Sequence, residues 1–148
     1  MNTMALYEIV YVSLACEELT SAQLDKLLAN CRASNEKSGV TGVLVYHHRE
    51  FLQLLEGEAD EVLGLYSRIE DDQRHQQIYK LWDGPIAERS FASWSMAFVN
   101  QALIEAMPQA VHPSRIGQGL ANTVKDSTGK KFLLNVRDEL LRRESERA

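Results

Sequence analysis

No stretch of the chain approaches the ~18 uninterrupted apolar residues of a membrane span. The first 20 positions also lack the basic, apolar and small-residue order of a secretory signal, so a cytoplasmic setting without membrane contact is expected. Cysteine is scarce. Cys16 and Cys31 form no C-x-x-C pair and sit far apart, which argues against structural zinc and dithiol redox chemistry. Cys31 falls on a helical stripe and is expected to be a small core residue. His47 and His48 are adjacent, a spacing expected to point their rings apart, so no metal site is expected. No G-x-G-x-x-G, G-x-x-x-x-G-K-S/T or H-E-x-x-H motif occurs, and there is neither an internal repeat nor a low-complexity segment.

What is present is a globular profile. The 148 residues are 45% apolar and 25% charged, enough to bury a core in one domain without metal or disulfide. The net charge of −5 is unevenly spread. Residues 1–100 carry 8 Lys/Arg against 15 Asp/Glu (−7), and residues 101–148 carry 8 against 6 (+2). An acidic body argues against bulk binding of nucleic acid or anionic membrane.

The order of elements is legible from periodicity. Residues 5–13 are rich in β-branched and aromatic side chains and read as a buried strand. Thr20 and Gln23 form a capping box that opens a helix to about residue 37, with Leu24, Leu27, Leu28 and Cys31 on one stripe and Gly39 at its end. Strands at 40–46 and 51–56 flank a short polar turn and form a hairpin. A second helix over about 59–72, capped by Asp60, carries the stripe Val62, Leu65, Tyr66 and Ile69. Strands are expected at 78–82 and 92–99, separated by the turn residues Asp83-Gly84-Pro85. This βαββαβ(β) order is the α+β ferredoxin-like plan, with both helices on one face of an antiparallel sheet. The strands are apolar on both sides, so the second face must also be covered. The tail is the candidate: Phe132, Leu133, Val136 and Leu140 recur at helical spacing over 130–147, and a short helix is expected at 101–107, with Pro108 and Pro113 between.

Gln53 is the residue out of place, a polar amide within Phe-Leu-Gln-Leu-Leu. Buried without partners it would cost ~1–3 kcal/mol, so it must be hydrogen-bonded. Tyr11, central in the first strand, would neighbour it if strands one and three pair. Trp94 and Met96 are expected on one side of the last strand. Arg68, Arg74 and His75 cluster where the second helix ends, a placement the helix dipole alone would favour. A core Tyr–Gln hydrogen bond and a solvated helix end account for all of this without any ligand.

Taken together the positions are more specific. Tyr11 in Ile-Val-Tyr-Val-Ser, Asn35 six residues before Thr41 in Gly39-Val-Thr-Gly42, and Phe51-Leu-Gln-Leu-Leu-Glu-Gly57 resemble the BLUF family of blue-light photoreceptors. So do Leu65-Tyr66-x-Arg68-Ile69, Asp72-x-Arg74-His75, Arg89-x-Phe91 and Trp94-Ser-Met96. The resemblance runs from about residue 5 to 99. It implies a sensor domain over 1–100 that holds FAD non-covalently, the ring lying between the helices and over the sheet. The cofactor would contact Leu27, Leu28, Cys31, Ser34, Asn35, Phe51, Arg68, Ile69, Asp72, Arg74 and His75. Ser34 departs from the pattern, since many members carry a second Asn there. The resemblance further implies that Tyr11 gives an electron and then a proton to the excited flavin, and that Gln53 bridges the two. An amide has a donor end and an acceptor end, so its rotation or tautomerisation reverses a network without moving charge. Trp94 and Met96 would relay the change. Residues 101–148 would form a helical output and oligomerisation extension, signalling to a partner protein from a homo-oligomer (a dimer or larger ring) and catalysing no reaction on a substrate.

Three other readings share the topology. An acylphosphatase-like enzyme needs an Arg in the loop after strand one, which here is Leu14-Ala-Cys-Glu-Glu. An RNA-recognition module needs exposed aromatic and basic residues on its strands, against the acidic body found. A light-insensitive ligand-binding or scaffold domain would keep Tyr11 and Gln53 as a simple core pair.

Overall fold

The computed structural model describes residues 5–99 and 127–147. Eight elements follow in order: β1 (Leu6–Ala15), α1 (Ser21–Ser38), β2 (Thr41–His47), β3 (Glu50–Glu58), α2 (Ala59–Glu70), β4 (His75–Ile86), β5 (Ala97–Val99) and α3 (Ser127–Arg147). The sheet runs β4-β1-β3-β2-β5, antiparallel except for the β2–β5 pair. The first four strands thus have the ferredoxin-like order, and β5 extends it at the β2 edge. Residues 101–107, where a short helix was expected, lie outside the described residues, as do Pro108 and Pro113.

Local chemistry explains most boundaries. Thr20 Oγ1 accepts from the Gln23 amide at 3.1 Å, and Gln23 Oε1 accepts from the Thr20 amide at 2.8 Å, completing the capping box. Gly39 closes α1 in the left-handed region at φ 74°, donating its amide to the Asn35 carbonyl. The β2–β3 turn places both His48 (φ 47°) and Arg49 (φ 69°) in that region, as a two-residue hairpin with matching twist requires. Neither residue is glycine. The Arg49 guanidinium anchors the turn instead, donating to the Ala15 and Cys16 carbonyls at 2.9 and 3.0 Å. The left-handed step also breaks side-chain alternation, so the His47 and His48 rings do not point apart: they meet edge to face with centroids 4.2 Å apart. No group of residues able to hold a metal occurs among the described residues.

One cap and two strand boundaries differ from expectation. α2 begins at Ala59, directly off β3; its N-cap Glu58 makes no side-chain cap bond, and Asp60 lies in the first turn with Glu61, where negative charge suits the dipole. β4 is twelve residues long and absorbs Asp83-Gly84-Pro85, which pair with Ile9, Glu8 and Tyr7. Pro85 is tolerated because β4 is an edge strand, where a missing amide breaks no ladder bond. β5 is only three residues long, because residues 91–96 fold into a turn rather than a strand.

Alternation sends successive side chains to two different cores. Ile9, Leu44, Phe51, Leu55, Val62, Tyr66 and Met96 pack on the α1/α2 side. Val10, Val12, Val43, Val45, Leu52 and Leu54 pack on the other side, where α3 contributes buried Leu133 and Val136 and a partly buried Leu140. The tail therefore covers the second face, as the two-sided apolar strands require. Each fully buried Leu or Val there contributes ~1.5–3 kcal/mol.

Candidate functional site

The polar residues that interrupt the apolar alternation meet on the α1/α2 side. In the β1–β3 register Tyr11 lies opposite Gln53, so both side chains project to the same face from the middle of the sheet. The Tyr11 hydroxyl donates to Gln53 Oε1. Gln53 then donates through Nε2 to the Met96 sulfur at 3.4 Å. All three residues are buried, and the chain phenol–amide–thioether has one direction: donor, acceptor and donor, acceptor. Tyr66 of α2 meets the Tyr11 ring edge to face, with centroids 5.5 Å apart. Burial first, and then the nearby Cys31, Tyr66 and Asp72, pushes the Tyr11 phenol well above its ordinary range, so it stays protonated at neutral pH.

The segment carrying Met96 is held by α1. Asn35, only 2% exposed, donates its amide to the Ser95 carbonyl at 2.7 Å, and Arg32 donates Nε to the Met96 carbonyl at 2.9 Å. β2 adds a third tie, from the Gly42 amide to the Trp94 carbonyl at 3.2 Å. Trp94 and Met96 do not share one side, contrary to expectation. Because residues 91–96 are turned, strand parity does not apply: Met96 enters the Tyr11 core, while Trp94 packs with Phe91 on the opposite face and donates Nε1 to Glu144 of α3 at 3.2 Å.

The remaining candidate residues divide. Leu28 and Phe51 are buried in the Tyr11 core, Phe51 against Tyr46, and Leu27 and Ile69 line it half-buried. Cys31 is a half-buried free thiol rather than an enclosed core residue; burial raises its pKa while Arg74 and Arg32 oppose the shift. Ser34 and Arg68 are exposed. Arg74 is paired with Asp72 through Nη2 at 2.5 Å, and this bond holds the Asp72 carboxyl down at about 2 against a smaller opposing effect of burial. His75 spans Ser13 Oγ at 3.0 Å and the Ile69 carbonyl at 2.7 Å, tying β1 to the end of α2. Of the three residues Arg68, Arg74 and His75 expected to gather at this helix end, Arg74 and His75 are therefore already engaged within the protein.

Sequence reasoning missed four participants: Tyr66 beside Tyr11, Arg32 and Ser95 beneath Met96, and Glu56. The last had a readable signal, because Glu56 shares strand parity with Leu52 and Leu54 and so must be a buried carboxyl.

Comparison with known proteins identifies relatives of this arrangement. A family model described as sensors of blue-light using FAD, BLUF, matches residues 6–97. The photoactivated adenylate cyclase subunit beta of Euglena longa is 28% identical over 104 residues, 70% of this chain and 12% of that protein. The subunit alpha of Euglena gracilis is 34% identical over 88 residues, 60% of this chain and 9% of that protein. This chain thus spans 12% or less of the length of these relatives. Among solved structures, BlrB, described as a BLUF protein in its dark state, superposes with a TM-score of 0.75 at 25% identity, covering 90% of this chain and 99% of that one. The photo-activated state of BlsA gives 0.71 at 30% identity, covering 88% and 92%.

Proposed function

The chain belongs to the BLUF family of flavin-dependent blue-light sensors, and from that premise we propose that Tyr11 and Gln53 are its photochemical pair and Met96 the first relay. The single observation that carries this reading is the buried, directional chain from the Tyr11 hydroxyl through Gln53 to the Met96 sulfur. The surrounding residues suit a flat aromatic cofactor. Leu24 and Leu27 on α1 and Leu65 and Ile69 on α2 pack on the Tyr11 core yet stay partly exposed, as the walls of an apolar slot between two helices would. Gln53 Nε2 keeps a second proton and Oε1 a second lone pair for a ring edge. Leu28, Cys31, Asn35 and Phe51 would complete the walls, with Ser34 at the rim. Arg68 would face the pyrophosphate, and Arg74 could join it only by loosening from Asp72; His75 would act by fixing the end of α2.

FAD, bound non-covalently, would supply the absorption of blue light and a reversible electron acceptor, to which Tyr11 would give an electron and a proton and from which it would take both back, leaving no net redox change. Tyr11 suits the donor role because its phenol is oxidisable and its proton leaves along an existing hydrogen bond to Gln53. Gln53 rotates or tautomerises in response, exchanging which end faces Tyr11. The rearrangement is worth ~1–3 kcal/mol, enough to shift a poised two-state element but not a deep well. Met96 feels the change first, and the same turned segment carries Trp94 to Glu144, so the signal reaches α3. Residues 1–100 would be the sensor and 101–148 the output, presenting the C-terminal helices to a signalling partner or a second copy of the chain. The matched region is a sensor domain; the cyclase activity named for the Euglena proteins is not assigned to it. No helix among the described residues is long and apolar enough to cross a membrane, and a cytoplasmic setting is the reading that the composition supports.

Absorption spectroscopy of the purified protein tests the proposal. The expected result is a yellow protein whose flavin band shifts slightly to the red under blue light and recovers in the dark. A colourless protein that takes up no FAD on refolding would leave the light-insensitive scaffold as the surviving reading.

A further inference from the structure

Building on the photochemical reading above, we propose that Glu56 is a positioning residue: its carboxylate sets the loop between β4 and β5 and thereby seats Met96 against Gln53. Glu56 is 0% exposed, and among the described residues the bonds of its carboxylate go to that loop and to Thr41 of β2. Oε1 accepts from the Ser90 amide at 2.8 Å; Oε2 accepts from the Phe91 amide at 2.7 Å and from the Thr41 hydroxyl at 2.9 Å. Arg89 closes the arrangement, donating Nη1 to Thr41 Oγ1 at 2.9 Å and to the Glu56 carbonyl at 3.4 Å. A carboxylate that accepts two backbone amides and a hydroxyl makes strong, charge-assisted bonds with fixed directions.

The clamp and the switch share one strand. Glu56 and Gln53 are three residues apart on β3 and project to opposite faces, so the loop starts under Glu56 on the α3 side and ends at Gln53 on the α1/α2 side. Between these ends lie the buried Phe91 ring, a turn closed by the Trp94 amide on the Phe91 carbonyl at 3.1 Å, and the Gly42 tie. Met96 sits five residues beyond the second clamped amide, with little slack. Its placement is not neutral toward the switch. A thioether only accepts, so Met96 stabilises the orientation in which Gln53 turns its NH2 toward sulfur, and offers nothing to the reversed amide. Glu56, by fixing Met96, biases Gln53 toward the resting orientation.

Glu56→Gln tests this in the full-length protein, because the amide keeps the size but points a donor at a backbone N–H. With half of a weakened Met96 contact expressed at the barrier, dark recovery of the flavin band should slow about threefold. In a Met96→Leu background the same substitution should have no further effect, a non-additivity that general loosening of the fold would not produce. Thr41→Val, which removes one donor and little volume, should act in the same direction more weakly, and serves if Glu56→Gln does not fold. Methyl NMR of labelled methionine, with the Met96 signal assigned by Met96→Leu, reads the seat in the dark: Glu56→Gln or Thr41→Val should displace that signal. Unchanged recovery, additivity with Met96→Leu, or an undisplaced Met96 signal would overturn the proposal. A wild-type protein with no light response would instead overturn the photochemical reading, while the methyl signal would still decide whether Glu56 seats Met96.

Discussion

The two faces of the sheet are buried alike and built differently. On the α3 side Val10, Val12, Val43, Val45, Leu52 and Leu54 meet Leu133 and Val136 with hydrocarbon on both sides. On the α1/α2 side Tyr11, Gln53 and Asn35 are equally enclosed, but each makes a directional hydrogen bond within the apolar surroundings. The energetics differ in kind. Methyl packing cannot be rearranged without opening a cavity at ~24 cal/mol per Å³, and the buried carboxylate on that side, Glu56, is fixed by two backbone amides and the Thr41 hydroxyl rather than by a reversible amide, so the α3 face has one arrangement. A donor–acceptor chain has two, one for each way its amide can face, and they differ by only a few kcal/mol. One face can switch and the other holds its shape, and burial alone would not tell them apart.

The contrast can be broken on either side. The largest effect is expected from Tyr11→Phe, which keeps the ring and its edge contact with Tyr66 but removes the hydroxyl that donates to Gln53 Oε1. The light-induced band shift should vanish entirely while the thermal midpoint changes by a few degrees at most. Leu133→Ala should do the reverse: stability falls by ~2–5 kcal/mol in denaturant titration, with flavin colour and band shift intact. If Leu133→Ala also removed the shift, the division of labour between the faces would be wrong. Trp94→Phe, which keeps the ring packing on Phe91 but loses the bond to Glu144, should cost only ~0.5–1.5 kcal/mol. Its sharper readout is hydrogen exchange over α3, where the difference between light and dark should shrink.

The smallest effect lies at the rim of the switching face. Asp72 is held near 2 by Arg74, below its ordinary 3.8. A carboxyl depressed in the folded state adds stability above its unfolded pKa and loses it as pH falls through the folded one. Asp72→Asn should therefore lower stability at pH 7 and match the wild type near pH 2. Because Arg74 is mostly exposed, the gap should stay under ~1 kcal/mol. Paired thermal melts at the two pH values would measure it.

Much of this could be read from the residues. Period-two alternation in β1 and β3 sends Tyr11 and Gln53 to the face opposite Val10 and Leu52, and the pairing of the two strands then sets them side by side. The capping box and the two-sided strands were equally direct. The failures share a cause: each was a local signal overridden by a distant partner. Asp83-Gly84-Pro85 is strong turn chemistry, yet β1 pairs with all three. Residues 92–96 looked like strand, yet Glu56 from β3 and Gly42 from β2 fold them back, which separates Trp94 from Met96. His75 and Arg74 are engaged within the protein by Ser13, Ile69 and Asp72, partners far from obvious in the order of the residues.

The strand edges bear on how copies of this protein can associate. Among the described residues one edge of the sheet is β5, only three residues long. The other is β4, where Pro85 has no amide to offer, Gln77 takes a left-handed backbone at φ 53°, and the register with β1 slips twice. Neither border presents a straight ladder onto which a foreign strand could zip. The sheet is closed to growth sideways without being closed into a barrel. Among the described residues, then, neither edge favours strand addition, and an ordered assembly of this chain is expected to use helices or faces rather than strand added to strand.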